Sequence, residues 1–164
     1  MTTTRIDLLQ QMPIFGAVRT DALQLLLEGA RAVRVAAGDS FFRELDPAQS
    51  MFVLEAGRVA VVKQWRGREL CLRQFGPGDC FGEMALLDLF PRSASVRALE
   101  DCVAIELTPA DLLRLFERDA EQFAVVQMNL AREMCRRLRV TDEMLFEAAM
   151  GGHEPPPDTN FQAI

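Results

Sequence analysis

From Val33 to Leu107 the chain is cut into short pieces, with a break about every ten residues. Apolar or alternating runs occupy 31–35, 40–43, 51–55, 58–65, 69–75, 79–81, 94–98 and 102–107. Between them stand Ala37-Gly38-Asp39, Asp46-Pro47, Ala56-Gly57, Arg66-Gly67-Arg68 and Gly76-Pro77-Gly78-Asp79. Glycine, proline and aspartate supply the dihedral angles that tight turns need. Many short strands with frequent turns predict a closed or rolled antiparallel β structure, a jelly roll of about eight strands.

Helical patterning flanks that segment. Leu8, Leu9 and Met12 lead to a break at Pro13, and Thr20 or Asp21 is placed to cap a helix carrying Leu23, Leu26 and Leu27 on one face. Downstream, Thr108-Pro109 reads as N-cap plus first helical residue of a short helix ending near Phe116. A longer helix follows from about Ala120 to Met150. Along it Met134, Leu138, Thr141, Leu145 and Ala148 keep the spacing of a coiled-coil seam, so residues 126–148 offer a homodimer surface. Thr141, polar within that stripe, either sets register or touches a ligand.

After Gly151-Gly152 the chain turns to His153-Glu154-Pro155-Pro156-Pro157, which predicts a disordered tail over 151–164 behind one domain over 1–150. Eighteen basic against 24 acidic side chains leave a net charge of −6. Neutralising phosphates wants a basic surplus, so nucleic acid and anionic membrane surfaces are not the expected partners. No run reaches the roughly 18 apolar residues of a membrane span, and the chain reads as cytoplasmic. Four cysteines, at 71, 80, 102 and 135, are dispersed, and the single histidine is His153. Buried reduced thiols are expected, with no metal site and no cofactor.

One stretch breaks the β rhythm. Glu83 to Phe90 is a run of helix formers that starts just after Gly82 and stops at Pro91. Gly82 permits close backbone approach, and the N–H groups at the start of a helix suit an anion. Arg92, nine residues after Glu83, can fork onto two phosphate oxygens. Glu83 would repel a bare anion, but it can accept a hydrogen bond from a hydroxyl such as a ribose carries. Ser93 adds a small hydroxyl.

These pieces resemble the phosphate-binding cassette of the cyclic nucleotide-binding domain family. Phe81-Gly82-Glu83-Met84-Ala85-Leu86-Leu87 and Pro91-Arg92-Ser93-Ala94-Ser95-Val96 carry the likeness, which covers about residues 12 to 147. Gly38-Asp39, Gly57-Arg58 and Gly76-Pro77-Gly78-Asp79 agree with it. The resemblance implies that Glu83 holds the ribose 2′-hydroxyl, with Gly82 lining the sugar beside Met84. It implies that Arg92 pairs with the cyclic phosphate, helped by Ser93 and by N–H groups around Ala85. Val61, Leu72 and Phe75 would form apolar walls. Arg137-Leu138-Arg139-Val140-Thr141 is similar to the catabolite-activator segment that contacts adenine, which makes Thr141 a base contact. Asp142, a serine in that activator, would reach the base from a partner subunit and suits the adenine amino group or guanine N1 and N2. Cys80 departs from the aromatic residue usual there.

The expectation is a non-enzymatic sensor of a cyclic mononucleotide, cyclic AMP ahead of cyclic GMP because of Thr141. It would signal through the long helix to an unknown effector protein. A ligand-free interaction module, or a cyclic dinucleotide binder, is the alternative. Only 14 residues follow Met150, so no DNA-binding half is expected in this chain. Arg132, Arg136, Arg137 and Arg139 read as a solvated face balanced by Glu133, Asp142 and Glu143.

Overall fold

A computed structural model describes residues 5–88 and 90–151. The fates of Leu89, His153 and the expected tail beyond Gly151 lie outside the described residues. Eight strands appear where the turns predict them: β1 Arg31–Val35, β2 Ser40–Phe42, β3 Met51–Ala56, β4 Val59–Trp65, β5 Arg68–Phe75, β6 Cys80–Phe81, β7 Ser95–Ala98 and β8 Cys102–Leu107. They form two antiparallel four-stranded sheets, ordered β1-β8-β3-β6 and β2-β7-β4-β5. This is the expected β-roll.

Strand β3 shows how the core is divided. Its first four residues are all buried, which a half-solvated strand never is. Phe52 and Leu54 point into the roll, joining Val59, Phe81, Val96 and Ala104. Met51 and Val53 point the other way, into a second core built with the helices. Phe81, whose ring centroid lies 5.4 Å from that of Phe52 and 5.0 Å from that of Phe41, centres an aromatic pile inside the roll.

The β4–β5 hairpin is closed by Arg66 and Gly67, both at positive φ (48° and 77°), the type I′ pattern that matches strand twist. Trp65 stands at its tip, 70% exposed, with the Arg66 guanidinium 5.2 Å from its ring centroid. The β4–β5 register slips between Val61 and Val62, which face Arg73 and Cys71, so Leu72 is the extra residue of the bulge.

The helices are α1 Arg5–Gln10, α2 Thr20–Gly29, α3 Pro109–Arg118 and α4 Ala120–Ala149, with 3-10 turns over Pro13–Phe15 and Glu83–Leu86. Thr108 caps α3 as expected, and the Asp111 carboxylate accepts from its N–H at 2.7 Å. That helix runs two residues past Phe116, because nothing breaks it before Asp119. The start of α2 differs too: Arg19 is the cap residue and Thr20 is already helical. The Arg19 N–H is taken by Gln122 Oε1 of α4 at 2.7 Å, a tertiary contact that pins the start of α2 to α4.

Two expectations fail on the surface. Cys80 and Cys102 are buried, but Cys71 and Cys135 are exposed, since β5 is an edge strand and Cys135 lies on the outer face of α4. The helix expected over 83–90 contracts to a 3-10 turn over Glu83–Leu86. A short segment tied at both ends to strands has no room for α-helical turns. No helix among the described residues is long and apolar enough to cross a membrane.

Candidate functional site

Gly82 is the pivot of the site. It sits at φ 76°, and a Cβ there would lie 2.7 Å from the Arg92 guanidinium and 3.3 Å from the Ser50 carbonyl oxygen. Only glycine allows both the left-handed turn and the close approach. The turn drops Glu83 inward, where it is 5% exposed.

Arg92, 7% exposed, reaches the same place from the other side. Its backbone is anchored both ways to the β2–β3 loop: Arg92 N–H donates to Asp46 O at 2.9 Å, and Leu45 N–H donates to Arg92 O at 2.8 Å. The guanidinium donates from Nη1 to Gly82 O at 3.1 Å and lies 3.9 Å from the Phe42 ring centroid. Burial pulls its pKa below the ordinary value, against the opposing fields of Glu106, Asp46 and Glu83. Among the described residues two buried side-chain polar atoms lack a partner, Glu83 Oε2 and Arg92 Nε. One acceptor and one donor are thus left unpaired in the same site, each at a cost unless something else fills it.

Both residues line a cavity of about 750 Å³ between the roll and α4. It gathers Gly82, Glu83, Met84, Ala85, Arg92 and Ser93 from the cassette, Val61, Leu72 and Phe75 from β4 and β5, and Thr141 from α4. Of the predicted site residues Asp142 alone does not line it; that carboxylate is exposed on α4. The Ala85 N–H, expected to face a phosphate, donates to Gly82 O at 3.2 Å, a long bond that leaves the hydrogen open to sharing. Thr141 Oγ donates to the Arg137 carbonyl at 3.0 Å, which spends its hydrogen and leaves its lone pairs as acceptors.

A model of the cyclic nucleotide-binding domain family matches residues 32–119. The chain belongs to that family. This cyclic nucleotide-binding domain is 34% identical over 131 residues to the cyclic AMP receptor protein of Thermus thermophilus, covering 79% of the chain and 59% of that relative. It is 35% identical over 88 residues to a cAMP-dependent protein kinase regulatory subunit of Neurospora crassa, 54% of the chain and 22% of the relative. The domain therefore spans less than two thirds of either. The crystal structure of the Thermus thermophilus catabolite activator protein superposes with a TM-score of 0.74 at 32% identity, covering 84% of the chain and 63% of that structure. The regulatory domain of Toxoplasma gondii PKA with cAMP gives 0.63 at 26% identity, covering 67% and 42%.

Arg137 corrects the sequence reading of the domain. Instead of joining a solvated face, it is largely buried and crosses the cavity wall: Nη1 donates to Glu83 Oε1 at 2.6 Å, Nη2 to Cys80 O at 3.0 Å and Nε to Glu133 Oε1 at 2.8 Å. Its guanidinium also lies 5.0 Å from the Phe75 ring centroid. Burial lowers its pKa, but Glu83, Cys80 and Glu133 together outweigh that and hold it above the ordinary value. Burial, with Glu83 close by, pushes the Cys80 thiol up to about 12, so the thiol stays protonated beside the pair. Four arginines within eight residues look alike in sequence; the one at helical spacing from Thr141 and Met144 is the one that turns inward.

Proposed function

We propose that this domain binds a cyclic purine mononucleotide and acts as a regulatory sensor, without catalysing a reaction. The observation that carries the reading is the pair of orphaned atoms, Glu83 Oε2 and Arg92 Nε, on two residues that line one cavity. A ribose hydroxyl donating to the first and a cyclic phosphate accepting from the second would satisfy both. The Arg137 guanidinium holds the Glu83 carboxylate in place through Oε1, which leaves Oε2 for a hydroxyl even beside an anion. Among the residues singled out from the sequence, the Thr141 acceptor favours an adenine amino group, which puts cyclic AMP ahead of cyclic GMP. Asp142, exposed on α4, is available to a ligand in a second copy and not to its own.

The signal would leave through α4, whose position a ligand biases only as far as it binds one position more tightly than another. Leu138 and Leu145, both exposed, offer the seam for a homodimer, and sedimentation with and without ligand tests it. Calorimetric titration with cyclic AMP and cyclic GMP tests the binding itself. Arg92→Ala is expected to weaken binding by about 1.5–3 kcal/mol or more. No heat from either nucleotide sinks the reading, and release of 5′-AMP from cyclic AMP sinks the non-enzymatic half.

A further inference from the structure

The chain holds one lysine, Lys63, among 18 basic side chains. It stands on β4 two residues after Val61, a wall of the cavity. Its ammonium donates to the Ser93 carbonyl at 2.9 Å and pairs with Glu44 Oε1 at 3.0 Å. Both partners belong to segments that hold Arg92. Ser93 follows it in the chain, and Glu44 precedes Leu45 and Asp46, whose backbone groups bond to Arg92 N–H and O. The Glu44 N–H itself donates to Ser95 Oγ at 2.8 Å. Lys63 therefore sits where β4, the β2–β3 loop and the Arg92 arm meet.

The ladder between β4 and β7 ends at the Val62–Ser95 pair, so Ser93 lies beyond it and Lys63 carries the connection further. Drawing the Ser93 carbonyl to one side has a second effect. In a trans peptide the C=O and the next N–H point in opposite directions, so the Ala94 N–H is turned away from Lys63. Ser93 and Ala94 both line the cavity, and Lys63 does not. Lys63 also offsets the Glu44 carboxylate, a negative charge that would otherwise stand uncompensated beside the residues expected to meet an anion.

With the lysine side chain 49% exposed, such an ion pair adds little to global stability. Ordering a long lysine side chain costs entropy that a pair this open to water hardly offsets. What the contact does hold is local, the short arm between Pro91 and β7. We infer that Lys63 is a positioning residue for the phosphate end of the site. Its two contacts set the course of the Arg92–Ser93–Ala94 backbone and neutralise Glu44, and Lys63 itself does not touch the ligand. The inference rests on the cyclic nucleotide reading of the cavity and adds to it a residue behind the cavity wall.

Lys63→Met, Lys63→Arg and the pair Lys63→Met with Glu44→Gln, each in the full chain, test it. In titrations with cyclic AMP and cyclic GMP, Lys63→Met should weaken both by about tenfold and by the same factor, because the phosphate is common to them. Lys63→Arg should stay within about threefold of wild type, since it keeps the charge and the donors. Adding Glu44→Gln to Lys63→Met should recover part of the loss, because no unpaired carboxylate then stands near the anion. Without ligand, Lys63→Met should unfold at the wild-type denaturant midpoint. Its amides over 92–95 should nevertheless exchange with deuterium faster, while those of Val126 and Leu130 stay unchanged. No loss of affinity, a loss confined to one nucleotide, a loss that tracks lowered stability, or an arginine that rescues nothing would overturn the inference. Unchanged exchange over 92–95 overturns it without any ligand. A folded wild type that binds neither nucleotide overturns the cavity reading and this inference with it, a result visible before any substitution is made.

Discussion

Helix α4 is one continuous helix of 30 residues with two unlike halves. Its front half is fastened into the domain. Val126 and Leu130 are about 1% exposed in the helical core, Gln122 takes the Arg19 N–H, and Asn129 Nδ2 donates to Gly16 O at 2.7 Å. From Leu138 to Ala149 every residue is exposed, and the rear half lies along the lip of the cavity. Among the described residues the hydrogen bonds between it and the roll come from Arg137, at the junction, to Glu83 and to Cys80 O. Apolar burial and buried amides make the front half part of the scaffold. The rear half is hydrogen-bonded to the roll through one guanidinium among the described residues, so on the proposed reading its position is the one a ligand at Glu83 would bias.

The largest effect that separates the halves is on stability. Leu130→Ala should cost about 3–4 kcal/mol in chemical unfolding, from lost burial plus the cavity left behind, whereas Leu138→Ala should stay within about 0.5 kcal/mol. Equal costs would erase the distinction. Arg137→Ala should come next, at about 2–3 kcal/mol, because it strands the Glu83 carboxylate in a buried place. Protease susceptibility measured alongside should rise at the rear of α4 while the front stays protected. Asn129→Ala should cost about 1–2 kcal/mol by leaving the Gly16 carbonyl unpaired, and helix content should fall only with global unfolding.

The smallest expected effect is a pH dependence of the front anchor. Asp119, the N-cap of α4, accepts from Gln122 N–H at 3.1 Å and from Arg19 at 2.5 Å. The Gln122 N–H first, and then Arg19, hold its pKa below 3.8 despite some desolvation. A carboxylate with a depressed folded pKa stabilises at pH above its unfolded value, and that stabilisation is lost as pH falls through the folded one. Wild type should therefore lose part of its stability below about pH 4, and Asp119→Asn, which still caps the helix, should show a shallower acid limb in circular dichroism. Identical acid limbs would detach Asp119 from the anchor.

The contrast between the halves also marks what the sequence could and could not reveal. All eight strands were legible because their ends are written locally, in Gly38-Asp39, Gly57-Arg58 and Gly76-Pro77-Gly78-Asp79. The Thr108-Pro109 helix start was legible for the same reason. Glu83 and Arg92 could be paired because Gly82 and Pro91 bracket them at a fixed spacing. Arg137 was hidden, since a basic cluster on a long helix gives no sign of which member crosses to a turn some 54 residues earlier in the chain. Arg73 was hidden too, because arginine on an edge strand is ordinarily solvated and only the register with Val61 puts it at the cavity. The 3-10 turn over Glu83–Leu86 shows a third kind of silence, in which anchoring at both ends overrides the helix propensity of the residues between.

Trp65 has an experimental consequence. The chain holds one tryptophan and no tyrosine, so its near-ultraviolet emission comes from a single indole at the β4–β5 tip. Because that indole is mostly in water already, unfolding the core should barely shift its colour. Movement of the hairpin, which carries Leu72 and Arg73 at its base, should shift it much more. The domain therefore has a built-in optical gauge of its cavity wall that is nearly blind to whether the rest of the chain is folded.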